Sequence, residues 1–173
     1  MKFTSVLVTV VVGVLLQVAL ARFTVGGTWV FDLVLVAVVF AGLQWGPTAG
    51  MIGGTLGGLL QDLLSGTIAG VSGLAKTLVG FVAGLIGTQF VLTRAHGRSI
   101  IVAGCSIVHR VLMLALTGLI EQHWPGTTWG AMLAETIVNT AAGFVLFQLV
   151  ATVPGLVARQ RLGRRAGFGR RQW

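Results

Sequence analysis

Charge is what this chain has least of. Only 9% of its 173 residues are charged, twelve basic and four acidic, and its mean hydropathy is +0.93. An ordinary water-soluble domain carries about 25% charged residues, so the composition excludes one and implies a membrane protein. Cysteine is nearly absent too. The single Cys105 rules out an intrachain disulfide and reads as a small core residue. Catalytic signatures are missing as well. There is no Gly-x4-Gly-Lys-Ser/Thr loop for a nucleotide phosphate. The three histidines, His96, His109 and His123, fall in an expected inner loop, a helix centre and an expected outer loop, so they cannot share one metal. Beside Arg110, His109 reads as a packing residue. No base is placed by the sequence near Ser65, Ser72, Ser99 or Ser106. We therefore expect no enzyme and no cofactor. The net charge of +8 invites nucleic-acid binding, but no soluble fold is there to carry the charge.

What is present is hydrocarbon in long runs. A helix needs about 20 apolar residues to cross a bilayer core about 30 Å thick, and six segments approach that length: Phe3–Ala21, Trp29–Trp45, Pro47–Leu64, Val71–Leu92, Ile100–Ile120 and Ala131–Val153. Pro47 marks a helix start, because proline suits the first turn. The expected fold is an all-α integral membrane protein, a compact bundle of six transmembrane helices spanning residues 1–157, followed by a basic cytoplasmic tail, 158–173. Lys2, the apolar run and "ALA" at 19–21 also fit a cleaved signal peptide, but the run is long for that role, which favours a retained helix. The positive-inside bias puts Lys2, Arg94, Arg98 and the tail in the cytoplasm, with both termini there. Arg22 and the loop "EQHWPGTTW", Glu121 to Trp129, go outside. Trp29, Trp124 and Trp129 then mark the outer interface and Trp45 the inner one.

Glycine is abundant, with 26 residues, and it is patterned. Gly50, Gly54 and Gly58 recur every four residues, with Gly53 and Gly57 as a second row. Gly73, Thr77, Gly80, Gly84 and Gly87 mark one side of the next helix. Small residues let membrane helices approach closely, so these two helices should pack tightly, on each other or on a neighbour.

Charges inside spans are costly and call for partners. Asp62 precedes the turn "SGTIAG" and Lys76 follows it, so the two should pair. Asp32 should lie near Arg22. Arg110, deep in the fifth span, should reach outward to Glu135, with Asn139 one turn further in. All four acids then fall in the outer half of the bundle. On the inner side, Arg159, Arg161, Arg164, Arg165, Arg170 and Arg171 form a polybasic segment attracted to anionic lipid, where glycines 163, 167 and 169 argue against a stable helix.

The stretch "FDLVLVAVVFAGLQWGPTAGMIGGTLGGLLQDLLSGTIAGVSGLAKTLVGFVAGLIG", 31–87, resembles the rod shape-determining MreD family. The resemblance lies in an Asp opening the second helix, a "GP" start to the third, the "GGLLQDLLSG" end and the "LVGFVAGLIG" helix. A proline commonly precedes the first Asp in that family, where Phe31 stands here. Asp32, Asp62 and Lys76 are the matched positions. The resemblance implies a noncatalytic scaffold of the elongasome in the bacterial inner membrane, working with MreC, MreB, RodZ, RodA and a penicillin-binding transpeptidase. It also implies a fold similar to the S components of energy-coupling-factor vitamin transporters. An S component is thus the alternative function, with the polar cluster around Asp62, Arg110 and Glu135 binding a small solute. Against it, "FTSVLVTVVVGVLLQVALA" lacks the Ala-x3-Ala docking patch that S components tend to carry.

Overall fold

The computed structural model describes residues 2–20, 31–90, 95–122 and 129–168. Six helices follow in chain order: α1 (Lys2–Leu20), α2 (Leu33–Trp45), α3 (Pro47–Ser65), α4 (Val71–Gln89), α5 (Ala95–Glu121) and α6 (Trp129–Phe168). Among the described residues, four stretches are long and apolar enough to cross a bilayer: Phe3–Leu20, Val71–Gln89, His96–Glu121 and Trp129–Thr152. α3 has the length, but its glycines, threonines and polar end dilute its apolarity.

α2 differs from the expected second span. It begins only at Leu33 and has 13 residues, about 20 Å of helix. Nine consecutive residues, Val34 to Gly42, are buried. A helix that is apolar all round belongs in a core, and α2 is in contact with each of the other five helices. Around it lie two apolar clusters. Val6, Val10 and Val14 of α1 meet Val34, Val38 and Ala41. On the other side Leu35, Val39 and Phe40 meet Val79, Ala83, Val102, Cys105 and Phe147.

A single residue, Gly46, separates α2 from α3, at φ 95°, where a side chain would strain the backbone. Pro47 follows at the start of α3. The glycine rows of α3 face different neighbours. Cβ atoms at Gly50, Gly54 and Gly58 would run into the backbones of Gly80, Lys76 and Gly73, whereas at Gly53 and Gly57 they would meet Val6, Val10 and Val34. α3 and α4 are thus antiparallel and pressed backbone to backbone. Gly84 abuts Pro47, and Gly87 abuts the Leu43 backbone of α2. Thr55 and Thr77 hydroxyls bridge the seam at 2.8 Å.

The last two helices depart from the expected boundaries. α5 starts at Ala95, so His96 and Arg98 are helical rather than in a loop. Aromatic contacts anchor that first turn: Arg98 lies 5.5 Å from the Phe147 ring centre and the His96 and Phe144 rings are 5.3 Å apart. α6 continues past Pro154 to Phe168, through Gly163 and Gly167, contrary to the expected break. Each glycine weakens a helix by only about 1 kcal/mol relative to alanine, and Leu, Ala, Gln and Arg around them are good helix formers. Arg159, Arg161, Arg164 and Arg165 lie on this extension. Arg170 and Arg171 fall outside the described residues, as do Arg22, Trp29, His123 and Trp124. Trp129 is exposed.

Candidate functional site

The first turn of α2 leaves backbone N–H groups that a helix cannot satisfy internally, and lipid cannot satisfy them either. Three side chains take them. Asp32 Oδ1 accepts from the Leu35 N–H at 2.9 Å as the N-cap. Gln17 of α1 accepts from Leu33 and Val34 at 2.7 and 3.2 Å through Oε1. Asn139 of α6 accepts from the Asp32 N–H at 2.8 Å and donates to Ser106 of α5 at 3.3 Å. Four helices are thereby fixed at the start of α2.

With Oδ1 used as a cap, the other carboxylate oxygen of Asp32 is free for a cation. Lys76 Nζ lies 2.7 Å from Asp32 Oδ2. It also donates to Ser72 Oγ at 2.7 Å and lies 3.3 Å from His109 Nε2. An ammonium has donors and no acceptor, so Nε2 must accept, which puts the imidazole proton on Nδ1. His109 Nε2 is also 4.0 Å from Asp32 Oδ2. Lys76 has no exposed surface, and Asp32, Ser72 and His109 are buried with it. One turn further along α5 from Ser106, Arg110 Nη1 lies 3.5 Å from Glu135 Oε2. The α5–α6 register carries this pair: Val102 faces Gly143, Ser106 faces Asn139, and Arg110 faces Glu135.

Asp62 is not part of this cluster, contrary to the pairing expected with Lys76. Its Oδ2 accepts from the backbone N–H groups of Gly70, Ser72 and Gly73 at 2.8, 3.1 and 3.4 Å. Its Oδ1 accepts from the Thr67 hydroxyl at 3.4 Å. The acid therefore caps α4 from across the turn, at its positive end. Register explains why. Lys76 lies opposite Gly54, about 12 Å of helical rise below Asp62, beyond the reach of a side chain already held by donors. Asp32 holds Lys76, and its expected neighbour Arg22 lies outside the described residues.

Over residues 1–153 the sequence matches the family of the rod shape-determining protein MreD. The chain belongs to the MreD family. It is thus a membrane protein with a role in rod shape determination, as part of the rod-shape machinery. No curated protein and no solved structure matches it significantly. Within this MreD-family chain, no group of three His, Cys, Asp or Glu side chains is placed to hold a metal among the described residues.

Three members of the network, Gln17, Ser72 and Ser106, are given no partner by the sequence reading. Gln17 has no signal beyond being the one amide in the apolar second half of α1. Ser72 has one: it stands four residues before Lys76, the spacing that stacks side chains on a helix face. His109, read as packing, packs through a bond to Lys76.

Proposed function

We propose that the chain is a noncatalytic scaffold of the elongation complex, binding MreC and helping to position peptidoglycan synthases during cell-shape maintenance. All six helices lie in the bacterial inner membrane. α2 is a short central helix that begins below the outer surface. Both termini are cytoplasmic, residues 1–157 are the membrane domain, and the tail rests on anionic lipid. MreB, RodZ, RodA and a penicillin-binding transpeptidase are further companions.

The observation that carries this reading is the internal use of the Lys76 charge. The Lys76 ammonium has three donors, and Asp32, Ser72 and His109 engage them inside the protein. Its charge is used to join helices, which leaves apolar outer faces for other membrane helices. An S component would instead turn such groups toward a solute.

The test is extraction of the tagged protein in mild detergent, followed by identification of what accompanies it. MreC is the expected companion. Recovery of a coupling ATPase without MreC would reverse the assignment.

A further inference from the structure

Five helices surround α2, and each touches it. Around that ring α1 meets α3, α3 meets α4, α4 meets α5 and α5 meets α6, but among the described residues α1 and α6 make no contact. The ring is open on that side. Toward the start of α2 the opening is tied, because Gln17 of α1 and Asn139 of α6 both bond to the first turn of α2. Toward the other end it is a groove of about 370 Å³ lined by Thr4, Ser5, Val8 and Thr9 of α1 with Phe40 and Trp45 of α2. Phe147 of α6 lies against Phe40 with ring centres 5.6 Å apart, which sets α6 on the far side of the groove. Val6 and Val10, the row that meets Gly53 and Gly57 of α3, take no part in its lining.

Two features specify what fills it. The first is length. From Thr4 to Thr9 the α1 wall rises about 8 Å, far short of the span of about 30 Å that a partner's transmembrane helix would line, but enough to seat the first part of one acyl chain. The second is charge. Lys2 opens α1 at this end, and Arg98 packs on Phe147. All four acids of the chain stand toward the opposite end: Asp32 ahead of α2, Asp62 late in α3, Glu121 closing α5 and Glu135 in the second turn of α6. The groove therefore has an apolar floor, hydroxyls along one wall, and cations without acids around its mouth. Thr9 donates its hydroxyl proton to the Ser5 carbonyl at 2.8 Å, which suits the deeper position, whereas Thr4 is exposed nearer the helix start.

We propose that this groove binds one anionic phospholipid, with an acyl chain against Val8 and Phe40, the Thr4 hydroxyl donating to a phosphate or ester oxygen, and the cations Lys2 and Arg98 attracting the headgroup. In the orientation proposed above, the lipid belongs to the cytoplasmic leaflet. The site goes beyond the scaffold reading and needs only that the helices lie in a bilayer.

Trp45 lines the groove and reports on it. The chain has no tyrosine, so the full-length variant with Trp29, Trp124, Trp129 and Trp173 replaced by Phe emits from Trp45 alone. It is purified in mild detergent and titrated with phosphatidylglycerol or phosphatidylcholine brominated near the headgroup end of an acyl chain, since bromine quenches a tryptophan it touches. Saturable quenching is expected, with a midpoint about fivefold lower for phosphatidylglycerol, the factor that one cation near a lipid surface supplies. Val8→Phe, which fills the groove from α1, should raise that midpoint at least about tenfold, and Lys2→Gln with Arg98→Met should bring the two lipids together. Leu78→Phe, at an exposed position on α4, should change nothing. Monodisperse elution and an unchanged melting temperature define the folded variants. If the tryptophan replacements misfold, native mass spectrometry of the wild type and Val8→Phe decides, with one phosphatidylglycerol retained by the first and none by the second. Equal midpoints for the two lipids, or a midpoint or retention that Val8→Phe leaves unchanged, overturn the proposal. So does loss of the quenching when MreC is co-expressed, which would make the groove a partner's seat. Whether MreC accompanies the wild type bears on the scaffold reading alone.

Discussion

Lys76 Nζ stands 2.7 Å from Asp32 Oδ2, joining the second turn of α4 to the cap of α2, with both residues buried. Removing one member leaves the other charged, buried and unpaired, which typically destabilises by about 3–5 kcal/mol. Lys76→Met and Asp32→Asn should each lower the melting temperature in detergent sharply. The double variant Asp32→Asn/Lys76→Met should lose less than either charge-orphaning single change, because no ion is then stranded. Strictly additive losses would show that the two charges are compensated elsewhere.

Asp62 makes the opposite prediction about the same lysine. Its oxygens are occupied by the Gly70, Ser72 and Gly73 amides, so Asp62→Ala should cost about 0.5–2 kcal/mol, the range of a lost helix cap. Combined with Lys76→Met, the losses should add within about 0.5 kcal/mol, apart from what Ser72 transmits between them. A coupling as large as that of Asp32 with Lys76 would restore the pairing that sequence proximity suggested.

These two acids mark how far sequence reasoning extends. Hydropathy places the helices, and glycine spacing marks α3 and α4 as a smooth pair, because both depend on local composition. Which acid faces Lys76 depends on register between helices, fixed by Gly50 against Gly80 and Gly54 against Lys76, and nothing local in "DLLSGTIAGVSGLAK" encodes that. The late start of α2 is hidden for a similar reason. Val30 and Leu33 are equally apolar, and only the Asp32 side chain, supported by Gln17 from α1 and by Asn139 from far along the chain, sets the first turn. Likewise His96 and Arg98 sit in a polar stretch that reads as a loop until Phe144 and Phe147 of α6 are seen beneath them.

The glycines divide into those that permit contact and those that do not. At Gly54 an added Cβ strikes the Lys76 backbone, which cannot move without separating α3 from α4, whereas at Gly104 nothing lies within 4 Å. Gly54→Ala should therefore destabilise by about 1–3 kcal/mol, the usual range for overpacking. Gly104→Ala should be neutral or stabilise by up to about 1 kcal/mol through helix propensity. Both are read from the same thermal melts, and a neutral Gly54→Ala would mean that the α3–α4 backbones are less close than described.

The last prediction separates a structural use of the charges from a chemical one. If Asp32 and Lys76 serve only to hold α2 against α4, neutral side chains of similar shape can replace both. Asp32→Asn keeps an oxygen to cap the Leu35 amide and an amide group toward position 76. Lys76→Met keeps the length of the stem and removes the ammonium, leaving Ser72 and His109 to bond to each other or to the carboxamide introduced at position 32. Rod-shaped cells depleted of their own copy and supplied with this double variant should keep normal width and length, while either charge-orphaning single change gives rounded cells and less protein in the membrane. A double variant that accumulates to wild-type levels yet leaves the cells round would mean that the ionic pair takes part in the function itself, in proton or solute handling, and the scaffold reading would fail on that result.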